Sequence, residues 1–438
     1  MSQGRQDRMS LPEPEASHPI GSGQLPVSAP GRLGKITRVE AALFDSGDPL
    51  ANIHSRWTEM LVRNHACLAP MPPRNQIALR IATDAGAEGC FVGHPFDRTA
   101  AEYERPLRPL LLGEDPWDRE RLWLRMYQAS TPRQVLSAAD IALWDLAGKA
   151  VGLPCWKLAG GCRETAKVYI ATHGDLGSPE DYAAFAVAIK ERGYHGFKIH
   201  GYYEIDPIRR ERIPFRSQGF PEQEMEVCQA VRAAVGDEMA LMQDTGWVFS
   251  LEEAIWMGHE LQKLGYEWFE DPMPQGREDS IEAYARLCRE VEIPICAPEY
   301  EEDYHYARGR YLLAGACTIN RIDHYYGGVT ACLKAAAMCQ ACGQRLELHS
   351  TASTQYNLQI LGATSEDLCT YLEDYDLDPE RGEKYVGANA QVPAEGGRRS
   401  PYLKGLLPRV DEQGYAHIPQ VPGMGMDVDW EYVESHRV

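Results

Sequence analysis

The 438-residue chain has no run of about 18 or more apolar residues, the length a membrane-spanning helix needs, so no membrane span is predicted. It is poor in basic residues: 44 Lys and Arg stand against 64 Asp and Glu, a net charge of −20. That balance argues against a nucleic-acid surface, which requires a basic patch. A small anionic substrate is still compatible with it, provided a metal and a few cations are gathered in one pocket. The twelve cysteines do not fall at disulfide-framework spacings, and reduced thiols of a cytoplasmic protein are the simplest account. No Gly-x-Gly-x-x-Gly follows a strand and opens a helix, since "GMGMDV" lies in a polar C-terminal tail; a dinucleotide oxidoreductase is therefore a poor fit. The first 34 residues are rich in Pro, Gly and Ser and lack the apolar core of a secretory signal, so they read as a disordered extension.

What is present falls into two rhythms. From Ile36 to about Gly93, "KITRVEAALFD" and "IALRIATDAGAEGCFVG" predict a small sheet, followed by helical segments such as "EDPWDRERLWLRMYQ" and "PRQVLSAADIALWDLAGKAVG". After "LAGGC", short apolar strands alternate with amphipathic helices: "KVYIAT", "GFKIH", "ALMQD", "YEWFED", "PICAPE", "CTINRID", "RLELH" and "TYLED". The helices between them include "PEDYAAFAVAIKERG", "EQEMEVCQAVRAAVG", "SLEEAIWMGHELQKLG", "IEAYARLCREVE" and "VTACLKAAAMCQACG". Eight such strands predict a parallel α/β barrel, although a doubly wound open sheet shows the same alternation. The polar strand ends separate the two. Lys198 and His200, Asp244, Glu270, Glu299, Asp323, His349 and Glu373 end successive strands, and only a barrel brings such positions to one face. Cys332, Cys339 and Cys342 follow a helical spacing and predict core packing rather than redox chemistry.

Asp244, Glu270 and Glu299 point three carboxylates at one volume, an arrangement that repels unless something positive sits between them. Oxygen donors without clustered His or Cys select a hard ion such as Mg²⁺. Lys198, inside a buried strand, is unusual. With His200 it predicts an acid/base pair; the alternative is that Lys198 neutralises nearby carboxylates while His200 donates a hydrogen bond. Asp140 and Asp145 read as structural contacts.

The motifs "SAADIALWDLAGKAVGLP" with "LAGG", "LMQDTGW", "WFEDPMP", "APEYEED", "GGVTACLKAAAMCQACG", "LELHST" and "IPQVPGMGMDVDW", in this order and spacing, resemble the enolase superfamily, within it the mandelate racemase-like subgroup of acid-sugar dehydratases. The resemblance implies a modified (β/α)8 barrel of the (β/α)7β type with an α+β N-terminal capping domain. The units expected are the extension (1–34), the cap (35–163), the barrel (164–385) and a C-terminal segment returning to the cap (386–438). It also implies one Mg²⁺ per subunit on Asp244, Glu270 and Glu299, which stabilises the enediolate formed when the proton next to a substrate carboxylate leaves. The activity so implied is a lyase that turns a sugar acid into a 2-keto-3-deoxy acid. An epimerase, a racemase, a lactone cycloisomerase or an inert metal-binding relative are the alternatives. Lys198 matches the first lysine of a Lys-x-Lys motif, with His200 in place of the second. His349 matches an opposite-face acid/base whose usual partner is an Asp five residues before a Gly-Gly pair; Asp323 lies one residue too close to Gly327, which puts its side chain on the wrong side unless a bulge turns it back. Glu373 matches a substrate-binding carboxylate, with a surface glutamate as the alternative. Specificity is expected from the cap, residues 45–70, with His54, Arg56 and Trp57; Tyr202, Tyr203 and the Arg-rich insertion after them suit a second carboxylate or several hydroxyls and equally an oligomer contact. A homo-oligomer is implied as well.

Overall fold

A computed structural model of the chain describes residues 33–47, 75–172, 178–200, 221–277, 279–349, 354–374, 401–404 and 410–438. The readings of residues 1–32, of His54, Arg56 and Trp57, and of Tyr202, Tyr203 and the insertion after them lie outside the described residues. Leu33, assigned by composition to the extension, is buried in the main core. An apolar side chain next to a strand finds cover there.

The first unit is an antiparallel meander of β1 (Ile36–Asp45), β2 (Asn75–Thr83) and β3 (Glu88–Gly93). It is followed by α1 (Ala100–Leu111), α2 (Arg119–Gln128), α3 (Arg133–Val151) and a single turn, α4 (Cys155–Leu158). α3 is buried without interruption from Val135 to Gly148 because it lies between the meander and the second unit. Its close packing requires glycine: a Cβ on Gly89 would sit 2.0 Å from the Ala142 carbonyl oxygen.

The second unit alternates strand and helix. β4 (Thr165–Ala171), β5 (Gly196–His200), β6 (Ala240–Asp244), β7 (Trp268–Glu270), β8 (Ile295–Cys296), β9 (Ile319–Ile322), β10 (Arg345–Leu348) and β11 (Tyr371–Asp374) are its strands. Among the described residues, seven helices join them: α5 (Pro179–Glu191), α6 (Glu222–Val235), α7 (Leu251–Lys263), α8 (Ser280–Glu290), α9 (Tyr304–Ala314), α10 (Gly328–Cys342) and α11 (Thr354–Gly362). The strands pair in parallel in the order β10-β9-β8-β7-β6-β5-β4-β11. The two ends of this path meet where the Leu346 amide donates to the Leu368 carbonyl at 2.7 Å, so the sheet is a nearly closed (β/α)7β barrel. Capping boxes at Ser178 and Ser250 start α5 and α7. Cys332 and Cys339 are buried on α10, whereas Cys342, at its last turn, is exposed. No helix among the described residues is long and apolar enough to cross a membrane.

The chain's end returns across both units. β13 (Tyr415–His417) pairs antiparallel with the start of β4, β12 (Leu403–Lys404) pairs with β14 (Asp427–Val428), and α12 (Trp430–Ser435) packs on the meander. Phe44, Val92, Val428 and Val433 share a small second core there.

Asp140 and Asp145 fasten these pieces together. Asp140, on α3, accepts from the Thr330 amide at 3.0 Å and the Thr330 hydroxyl at 2.6 Å on α10. Asp145 accepts from the Cys90 and Met424 amides at 2.9 and 2.8 Å and pairs with Lys149. Burial pushes the Asp140 carboxyl up to about 7, against the two Thr330 hydrogen bonds. A carboxyl whose folded pKa lies above its unfolded value of 3.8 contributes stability that is fully present at low pH and lost as pH rises through about 7. The urea midpoint of the native protein should therefore fall relative to that of Asp140→Asn as pH rises from about 5 to 8; parallel profiles would contradict this account.

Candidate active site

The barrel interior is built in layers. Tyr169, Ala171, Met242, Trp268, Cys296 and Ile319 form an apolar plug. Because alternate residues of a strand face the same side, the residues further along the same faces are Lys198 and His200 on β5, Asp244 on β6 and Glu270 on β7. Arg321 and Glu347 belong to the same inner set on β9 and β10, as does Glu373 on β11. All are buried.

Two cations organise this layer. The Lys198 ammonium lies 2.5 Å from Glu270, 2.6 Å from Glu373 and 3.6 Å from Asp244. Burial and the nearby Arg321 disfavour its charge, but the three carboxylates outweigh them and hold its pKa well above the usual lysine value. Arg321 reaches Glu270 and Glu373 at 3.0 Å, Glu299 at 3.2 Å and Glu347 at 3.9 Å. Burial opposes ionisation of Glu373, yet Lys198 and Arg321 keep it well below the ordinary carboxylate range. Glu347 is pushed up to about 7, chiefly by burial. Glu373 is thus an interior partner of Lys198 and not a surface residue, because its strand is the barrel's closing one. Lys198 has no exposure and is enclosed among carboxylates.

Around this layer stand the remaining predicted residues. One oxygen each of Asp244, Glu270 and Glu299 lies within 4.8 Å of the others. Burial pushes the Glu270 carboxyl well above its usual range, and Asp244 and Glu373 add to this despite Arg321 and Lys198. Such crowding calls for one more positive charge, and an all-oxygen donor set fits a hard divalent ion. His200 Nε2 lies 3.0 Å from Asp244. His349, its side chain 14% exposed, has Nδ1 2.9 Å from Asp323 and Nε2 3.4 Å from Glu299. Burial lowers the His349 pKa, but Glu299 and Asp323 more than reverse this and raise it.

Asp323 therefore meets His349 without a bulge, a correction to the register counted from Gly327. The face is set by the strand itself: Arg321 points inward, so Asp323 two residues on shares its side. The turn then holds the carboxylate through the Tyr325 amide at 2.6 Å. Arg321 and Glu347 are central residues that the motif reading passes over. The signal for Arg321 is the one that flags Lys198, a full charge within an apolar strand.

Residues 181–433 match the family model described as enolase C-terminal domain-like, and residues 64–160 match the mandelate racemase/muconate lactonizing enzyme N-terminal domain. A barrel of this build, with three carboxylates whose oxygens lie within reach of one ion, defines the class of capped-barrel proteins with an acidic metal-type centre. The chain belongs to the enolase superfamily, in its mandelate racemase/muconate lactonizing branch. It is 28% identical over 371 residues to the D-galactonate dehydratase of Ralstonia pickettii, covering 82% of this chain and 90% of that one. With the arabinonate dehydratase of Saccharolobus solfataricus it shares 30% identity over 305 residues, 64% of this chain and 74% of the relative. Its fold superposes with a TM-score of 0.73 on the D-glucarate dehydratase of Agrobacterium tumefaciens complexed with magnesium, at 31% identity, covering 93% of this chain and 100% of that one.

Arg321→Leu removes the shared partner of Glu270, Glu299 and Glu373 and should cost about 3–5 kcal/mol in denaturant unfolding. Adding Glu373→Gln should recover part of the loss; a double variant as unstable as the sum of the single ones would show that the two residues are not coupled.

Proposed function

We propose that this protein is a Mg²⁺-dependent acid-sugar dehydratase: it takes the α-proton from a polyhydroxy acid and eliminates the β-hydroxyl to give a 2-keto-3-deoxy acid. The observation that carries the reading is that two histidines adjoin the Asp244, Glu270 and Glu299 trio, His200 beside Asp244 and His349 beside Glu299. The dehydratases named among its relatives support it. Asp244, Glu270 and Glu299 would hold the ion, which supplies charge stabilisation for a substrate carboxylate as its α-carbon loses a proton. Asp323 lies against His349 Nδ1, and with the ring's hydrogen on that nitrogen the neutral form of His349 would offer Nε2 to take a proton at the barrel mouth. His349 is then the base for the α-proton. His200, beside Asp244, returns a proton to the departing hydroxyl. Lys198 acts without moving a proton: fixed between Glu270 and Glu373, it keeps positive potential beneath the site. The free thiols among the described residues support a cytoplasmic setting, and the family resemblance supports a homo-oligomer.

The Asp323–His349 pair together with His200 also favours a second reading, epimerisation at the α-carbon, since two bases suit that reaction. Incubation with pooled sugar acids and Mg²⁺ in D₂O, followed by NMR, separates the two by product. A keto product that vanishes with a chelator and returns with Mg²⁺ is expected, whereas a retained hydroxy acid with inverted α-carbon would select the epimerase. His349→Asn should lose both α-deuteration and product, by about 10²- to 10⁴-fold. His200→Asn should keep α-deuteration while losing elimination; loss of exchange in His200→Asn with retention in His349→Asn would reverse the two roles.

A further inference from the structure

Two of the three trio carboxylates are placed by the sheet itself. Asp244 and Glu270 are the last residues of β6 and β7 and pair with each other across the ladder. Glu299 is different, since β8 ends its ladder at Cys296, three residues earlier. Among the described residues, no strand pairing reaches Glu299.

Its backbone is held instead by Arg308, from α9, which is fully buried. The Arg308 guanidinium donates to the Glu299 carbonyl at 2.7 Å, to Pro298 and Tyr304 at 3.3 Å, and to Glu301. Its Nε donates to the carbonyl of Arg321 at 2.9 Å, and Arg321 is the residue whose own side chain meets the Glu299 carboxylate at 3.2 Å. The ring of Tyr326 covers the guanidinium, 4.3 Å from its carbon. One planar group thus ties the loop that carries Glu299 to the strand that carries its ion-pair partner. A lysine offers no such fork.

We propose that Arg308 is the positioning residue of the metal centre: by fixing the Glu299 main chain to that of Arg321, it holds the third carboxylate where the ion needs it and so controls metal affinity. This rests on the reading of Asp244, Glu270 and Glu299 as metal ligands. Groups that orient ligands without touching the metal typically change affinity by about 10- to 100-fold, and Arg308 acts on the one ligand the ladder leaves unsupported.

The molecule contains its own control. Arg232, on α6, is also buried and also donates to main-chain carbonyls, those of Gly236, Met239, Leu264 and Gly265, but at the opposite end of the strands, ahead of β6 and β7. Isothermal titration of Mg²⁺ into the full chain, with circular dichroism melts, compares wild type, Arg308→Gln, Arg308→Lys, Arg232→Gln and Glu299→Gln. Expected are an affinity loss of about 10- to 100-fold in Arg308→Gln, a smaller loss in Arg308→Lys and native affinity in Arg232→Gln at temperatures where each is folded. If Arg308→Gln fails to fold, Arg308→Lys carries the comparison: weakened Mg²⁺ binding in it supports the role. Native affinity in the Arg308 variants while Glu299→Gln loses the ion, or an equal loss in Arg232→Gln, overturns the inference and leaves the metal reading standing. Absence of Mg²⁺ binding by wild type overturns the metal reading itself, and this inference with it.

Discussion

Everything at the centre of this protein depends on Arg321. Five carboxylates, Asp244, Glu270, Glu299, Glu347 and Glu373, sit in a closed interior with two cations between them. Buried charges of one sign are tolerated only when each finds an opposite charge or a hydrogen bond. Arg321 meets four of the five because its fork is planar and its donors diverge. Lys198, a compact point charge, fills the remaining space between Glu270, Glu373 and Asp244. The interior is left with an excess of negative charge, concentrated where the three oxygen donors meet. A hard cation is the natural complement to that excess.

The rim above this layer is held by different means. Asp323 and His349 lie beyond the last ladder residues of β9 and β10, and the segments that follow them are fastened to the cap. The Tyr356 hydroxyl bonds the Val92 amide and carbonyl at 2.9 and 3.0 Å, and the Tyr325 hydroxyl receives the His94 amide at 3.3 Å. Asn357 donates to the His349 carbonyl at 2.8 Å and shares its oxygen with His324 Nδ1 at 3.0 Å. The cap is therefore part of what orients the histidine–aspartate pair, as well as the unit from which specificity was expected.

Much of this was legible in the residue order. Strand–helix alternation, polar strand ends and the motif series point to the barrel, the trio and both histidines, because each signal is local: a period, a cap, a residue at the end of an apolar run. α1, α9 and α11 carry weaker signals. α1 contains Pro106 and Pro109, and α9 and α11 bury polar side chains such as Arg308, Asn357 and Gln359, so the pattern of apolar spacing is blurred in them.

By itself, then, the sequence determined which strands exist and that three carboxylates would converge, since hydrophobic period and the chemistry near strand ends are properties of short segments; β8, β9 and β10 stop short of Glu299, Asp323 and His349, which the sequence reading had placed at their ends. Only the tertiary structure decided what each charge meets. Whether Lys198 is free or enclosed, whether Glu373 faces water or Lys198, and whether Asp323 meets His349 depend on strand faces and on partners from other strands: 26 residues separate Asp323 from His349 and 72 separate Lys198 from Glu270. A pairing between charges is a matter of a few ångströms in space, and no spacing along the chain contains it.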